Sequence, residues 1–218
     1  MSLIVFHEFG HFLTAKQFNW NIDGIYIYPL GGITKFNTDI NKPIVEELLV
    51  TLMGPIFQIV LFLFIKRFDN TLEYYNNLLL FFNLLPIVPL DGSKLLNIFI
   101  SLVIPFKRTL SIQIIVSYIF YIIIFLFFIF YIDSLFMLIV IFLLVFKIIE
   151  EDRKKSYIFY KFLLERYLKR FKYKKDKIVS NINGFYKYKN NIIKSNNIIL
   201  NEHEILKKYY KKNNKRII

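Results

Sequence analysis

Cysteine is absent from this chain, tryptophan occurs once, and there are only three histidines among 218 residues. Without cysteine there is no disulfide, no thiolate nucleophile and no zinc–thiolate cluster. Any metal would have to be held by histidine and carboxylate, the donor set of catalytic zinc sites. Acidic charge is scarce where the chain is most apolar: between residues 74 and 132 the one acid is Asp91. A cleavable signal peptide is not expected, because the N-terminus has no basic stretch and its apolar run is interrupted by polar residues. No internal repeat is present.

Apolar and aromatic residues are abundant. They make up 56% and 19% of the chain, with a mean hydropathy of +0.44. They lie in long runs, not in alternation. Residues 45–65, 78–104 and 112–132 are each long enough to cross a bilayer core of about 30 Å as helices, and residues 134–149 fall somewhat short. The pattern predicts an all-α polytopic membrane protein of about five transmembrane or membrane-embedded helices, with a short β-hairpin insertion and a basic cytoplasmic tail. The net charge of +13 belongs wholly to the tail: from Glu150 onward there are 20 Lys/Arg and 7 Asp/Glu of the chain's 29 and 16, leaving nine of each in residues 1–149. By the positive-inside rule the tail is cytoplasmic. A flank solvated beside anionic lipid accounts for its charge, and no nucleic-acid recognition motif accompanies it.

Residues 2–20 read as one helix. Residues 22–36 change character: alternation, a proline and Gly31-Gly32 predict a hairpin. A helix over 44–65 contains Gly54-Pro55, and proline inside a membrane helix frees backbone carbonyls and favours a kink. Pro86 and Pro89 break the next apolar run just before Asp91, which would start a new helix reaching about Ile104. Residues 110–132 and 134–149 form an apolar helical hairpin, and two further helical stretches, 157–171 and 202–212, lie in the tail.

Chemistry concentrates in HEFGH at residues 7–11. His7 and His11 sit one helical turn apart on one face, where two imidazoles can share one zinc ion, with Glu8 beside them as a base. Three polar groups in one turn of a membrane helix are costly unless they serve a function. Asp91 is the candidate third ligand; on its own it reads equally well as a cap on the helix after Pro89. Zinc would polarise a scissile carbonyl and acidify a water, and Glu8 would take the water proton and pass it to the leaving amine. Gly31-Gly32-Ile33-Thr34 either offers a strand edge to an extended peptide substrate or is a plain turn.

In order and approximate spacing, HEFGHFLTAK, PLGGITKF, LMGPIFQ and NLLPIVPLDGSKLL resemble the site-2 protease family of intramembrane zinc metalloproteases, through about residue 105. The resemblance implies one Zn²⁺ per chain bound by His7, His11 and Asp91, with Glu8 as the catalytic base. It also implies that Asn83, Gly54 and Pro55 help shape the substrate channel. Residues 1–149 would then be the membrane-embedded metalloprotease domain, with its core in 1–105 and an extra helical hairpin in 110–149, and residues 150–218 the tail. The PLGGI segment and FYKFLLERYLKRF resemble the bacterial sporulation branch, the stage IV sporulation protein FB group. Its members release a mother-cell sigma factor from a membrane-bound pro-form, and other membrane proteins hold them in check. The implied partners are therefore the bilayer, a membrane-associated protein substrate and membrane regulatory proteins, in a bacterial cell membrane.

Three features depart from that family. Only six residues precede His7, where members carry a further apolar span. An apolar extension upstream of Met1 would favour the enzyme, and a stop codon there the alternative, a catalytically inactive membrane binding or regulatory protein of the same fold. The tail is short for a cystathionine-β-synthase-type regulatory domain, although NEHEILKKYY fits its reduced end. Lys66-Arg67 falls on the outer side if each apolar segment spans once, against the positive-inside tendency.

Overall fold

The computed structural model describes residues 2–28, 31–37, 39–65, 71–131, 135–195 and 198–214. The chain is mostly helical. Helix α1 (Ser2–Gln17) carries HEFGH and is followed by an antiparallel hairpin, β1 (Ile22–Tyr28) and β2 (Gly31–Phe36), in which Gly31 pairs with Tyr28 and Gly32 with Ile27. Helix α2 (Ile44–Ile65) runs unbroken through Pro55. Helices α3 (Thr71–Asn83) and α4 (Asp91–Val103) flank the proline-rich break, so the apolar run 78–104 is split between them. At 13 residues each, they are about 20 Å long, short of a bilayer core. Helices α5 (Phe106–Tyr131) and α6 (Leu135–Lys169) complete the helical body.

Among the described residues, two helices are long and apolar enough to cross a membrane, Ile44–Phe64 and Phe106–Ile129. Much of their apolar surface faces outward: Leu63, Phe64, Ile115, Ile122 and Phe127 are exposed, as lipid-facing side chains would be. The Lys66-Arg67 pair lies outside the described residues.

One sequence expectation needs correction. The architecture is not purely helical apart from one hairpin. The tail holds a three-stranded sheet, with β3 (Asp176–Ile178) parallel to β4 (Asn190–Ser195) and β4 antiparallel to β5 (Ile198–Leu200), then helix α7 (Glu202–Asn214). These strands are short and studded with Lys and Asn, so no two-residue alternation marks them. The tail packs on the helical body. Phe106 and Leu110 at the start of α5 share a buried core with Phe159, Phe162 and Leu163 of α6, Phe185, and Ile205 and Leu206 of α7. Helix α6 runs straight through the position, 149/150, at which the charge changes.

The helix pair α1–α2 frames the site. Gly10 makes the close approach possible: a Cβ there would stand 2.3 Å from the Met53 carbonyl oxygen, so any side chain would force the helices apart.

Candidate metal centre

The i,i+4 spacing on α1 brings the two imidazoles into edge contact, with ring centroids 4.9 Å apart. Asp91, at the first turn of α4, reaches them across the bundle. Its Oδ2 lies 2.9 Å from His7 Nε2 and 3.0 Å from His11 Nε2, and the two Nε2 atoms are 3.2 Å apart. All three side chains are almost fully buried.

These distances test whether the residues suit a metal. His11 Nδ1 faces the Val50 carbonyl oxygen at 2.7 Å. A carbonyl only accepts, so Nδ1 carries the proton and Nε2 presents a lone pair. Three lone-pair atoms thus converge on one point inside an apolar body. A single proton satisfies one pair of them at a time, whereas a cation at the centre satisfies all three. Nitrogen and oxygen ligands at about 2.0–2.1 Å from tetrahedral zinc stand roughly 3.3 Å apart, close to what is observed. The donor set fits zinc.

The remaining groups complete the arrangement. Asp91 Oδ1 is engaged by Lys94 Nζ at 2.8 Å, which leaves one carboxylate oxygen for the histidines. Glu8 is buried, and its carboxylate groups with the two histidine ligand atoms within 4.8 Å. Thr34 of β2 donates to Glu8 Oε2 at 2.7 Å, so the hairpin reaches the site directly. Asn83 Nδ2 lies 3.5 Å from His7 Nε2. A cavity of about 250 Å³ opens beside His11 and is lined by Trp20, Phe36, Lys94 and, from the tail, Lys187.

Of the residues singled out in the sequence, His7, Glu8, His11, Asp91 and Asn83 meet here. Gly31 and Gly32 lie in β2, the strand that bears Thr34. Pro55 is buried within α2. Gly54 lies against the His11 ring: a Cβ would fall 2.3 Å from Nε2 and 2.4 Å from Cε1. Gly54→Ala is therefore expected to displace His11 and weaken zinc binding at least tenfold, a change of about 1.4 kcal/mol. Alanine is the better helix former, so circular dichroism should show the helices intact. Sequence reasoning missed Thr34 as the partner of Glu8, and Gln58, which stands 2.9 Å from His7 Nδ1. A polar residue inside the apolar α2 was the available signal for Gln58.

The chain is similar to known proteins. The family model described as Peptidase family M50 matches residues 1–68. Stage IV sporulation protein FB of Bacillus subtilis is 34% identical over 178 residues, covering 77% of this chain and 62% of that protein. Residues 1–68 thus carry the sequence pattern of peptidase family M50. A zinc metalloprotease of Methanocaldococcus jannaschii is 32% identical over 111 residues, 45% of this chain and 32% of that protein. A solved site-2 protease from Methanocaldococcus jannaschii has a similar fold, at a TM-score of 0.56 and 26% identity, over 69% of this chain and 74% of that one. The chain spans less than two thirds of the length of the two curated relatives.

Proposed function

We propose that this chain is a zinc endopeptidase of family M50 that cuts a membrane-associated protein within or near a membrane-spanning segment. The observation that carries this reading is the convergence of His7 Nε2, His11 Nε2 and Asp91 Oδ2 within 3.2 Å of one another, with Glu8 alongside. His7, His11 and Asp91 would hold one zinc ion. When bound, zinc supplies Lewis acidity, polarising a scissile carbonyl and making water acidic enough to lose a proton near neutral pH.

The chain's own groups do the rest. Thr34 fixes one oxygen of Glu8 and leaves the other to take the proton as water attacks the carbonyl carbon. Glu8 then delivers that proton to the amide nitrogen as the C–N bond breaks. Asn83, beside His7, would donate to the carbonyl oxygen as charge builds there. The outer edge of β2, Gly31 to Thr34, would hold the substrate as an added strand.

Topology supports a membrane setting. The start of α2, the start of α5 and the tail meet at one end of the bundle: Lys187 pairs with Glu47 at 2.6 Å, Tyr188 donates to Glu47 Oε2 at 2.9 Å, and Phe106 N–H donates to the Phe185 carbonyl. Burial, then the Glu47 carboxylate, pushes the Tyr188 hydroxyl above the usual phenol range, so it stays a donor at physiological pH. That end carries the tail's positive charge and is assigned to the cytoplasm, in a multi-pass chain of about five membrane-embedded helices. His7 lies ten residues, about 15 Å, from the cytoplasmic end of α1, so a substrate must enter the membrane to reach it. A membrane-bound pro-sigma factor or similar regulator, held in check by other membrane proteins, is the substrate class the sporulation relative suggests.

Zinc analysis of the detergent-purified chain tests the centre. One zinc per chain is expected, with His7→Ala and Asp91→Asn each weakening it by at least about 100-fold, or 2.7 kcal/mol. A zinc-free wild-type protein would overturn the reading.

A further inference from the structure

Gln58 and Asn76 supply a hydrogen-bonded relay behind the metal centre. Gln58 on α2 is completely buried and Asn76 on α3 nearly so. An unsatisfied amide in such surroundings costs several kcal/mol, yet both ends of the Gln58 amide are used. Its Nε2 donates to the Asn76 backbone carbonyl at 3.0 Å and to Asn76 Oδ1 at 3.1 Å. A backbone carbonyl accepts only, so this contact settles which end of the amide is nitrogen. The carbonyl end, Oε1, must then be the atom facing His7 Nδ1 at 2.9 Å.

An acceptor at that place requires the imidazole proton on Nδ1. Nε2 keeps its lone pair and points it at Asp91 Oδ2 and His11 Nε2. We propose that Gln58 is the positioning residue of His7, fixing its tautomer and ring plane for metal binding, and that Asn76 fixes Gln58. This rests on the metal-centre reading above. The bond from the second ring nitrogen orients an imidazole ligand and raises its basicity. His11 receives that service from a main-chain carbonyl, Val50 O, which no side-chain substitution removes. His7 receives it from a side chain, so the two ligands should respond differently to one mutation. The relay also ties α1 to α2 and α3, and α3 leads into the break that ends at Asp91, so the bond that selects the tautomer also braces the third ligand's approach.

The experiment uses the full chain in detergent with ¹⁵N-labelled histidine; the third histidine, His203, lies in the tail. Spectra of the metal-free protein are taken at about pH 8, above the ordinary imidazole pKa of about 6.5, and zinc affinity is measured by chelator competition. In the wild type, His7 should be protonated at Nδ1. Gln58→Leu should release His7 into a mixture of tautomers, leave His11 unchanged and weaken zinc binding about 10–100-fold. Gln58→Glu keeps an acceptor facing His7 but sets a second one against the Asn76 carbonyl, so it should return the His7 tautomer towards wild type and restore zinc affinity only in part; a merely structural role would show no such rescue. Unchanged His7 resonances and zinc affinity in Gln58→Leu would overturn the proposal. Should that variant not fold, a wild-type His7 protonated at Nε2 would overturn it equally. An Nδ1-protonated His7 in a wild-type protein that takes up no zinc would sink the metal-centre reading and leave the Gln58 assignment standing.

Discussion

Glu8→Gln is expected to lower cleavage of a membrane-embedded substrate by about 10²–10⁴-fold, the usual contribution of a positioned general base, while the protein still binds one zinc. The proposed roles fall on different residues. The three atoms that converge within 3.2 Å belong to His7, His11 and Asp91. Glu8 stands beside them, anchored through Oε2 by the Thr34 hydroxyl. A glutamine oxygen can accept that same hydrogen bond, so the side chain stays in place, but an amide does not take a proton from water. The variant should be folded, metal-loaded and inactive. Cleavage of a transmembrane substrate in liposomes, measured beside zinc content, checks both halves. Wild-type cleavage by Glu8→Gln would remove Glu8 from the mechanism, and loss of zinc would make it a ligand.

Arg166→Met is expected to destabilise the tail by about 3–5 kcal/mol, the typical result of breaking a buried ion pair from one side. The Arg166 side chain is completely buried within the tail's core. Its Nη1 donates to both Glu202 carboxylate oxygens at 2.8 Å and to the Lys189 carbonyl, Nη2 donates to the Lys187 carbonyl, and Nε donates to Asn41 Oδ1 at 2.9 Å. The guanidinium also lies over the rings of Phe162 and Tyr173, 4.8 and 4.7 Å from their centroids. Methionine fills much of the volume and satisfies none of these acceptors, so Glu202 is left charged and partly buried. The double variant Arg166→Met/Glu202→Leu should recover part of the loss, because the stranded charge is gone. Denaturant unfolding in detergent gives the magnitude, and limited trypsin digestion between residues 172 and 194 shows where it acts. An Arg166→Met protein as resistant as wild type would mean that the tail's packing does not depend on this network.

Both predictions show where sequence legibility ends. HEFGH was readable because helical geometry puts residues four apart on one face whatever the tertiary setting. The bounds of α2, the hairpin over 22–36 and the break before Asp91 were readable from apolar runs and from proline and glycine punctuation. The tail sheet was not: β3 and β5 are three residues each, too short for alternation to emerge from a Lys- and Asn-rich background. The 134–149 run reads as the end of a hairpin because the dense charge of the tail starts at Glu150, yet α6 continues as one 35-residue helix. A change from lipid to water as surroundings does not interrupt helical hydrogen bonding.

Nor did the polar partners show themselves locally. Thr34 lies 26 residues from Glu8, and Asn41 lies 124 residues from Glu165, whose Oε2 it meets through its backbone N–H at 3.1 Å. By itself the sequence determined which side chains are there to hold a metal, the spacing of the histidine pair and the apolar segments, because each depends on the covalent geometry of one helix or on composition. Only the tertiary structure decided that Asp91 closes the triad from 80 residues away, that Val50 and Gln58 orient the two rings, and that the basic tail docks on the start of α5. Those contacts depend on how closely helices can pack, and at Gly10 and Gly54 that distance is set by side chains that are not there.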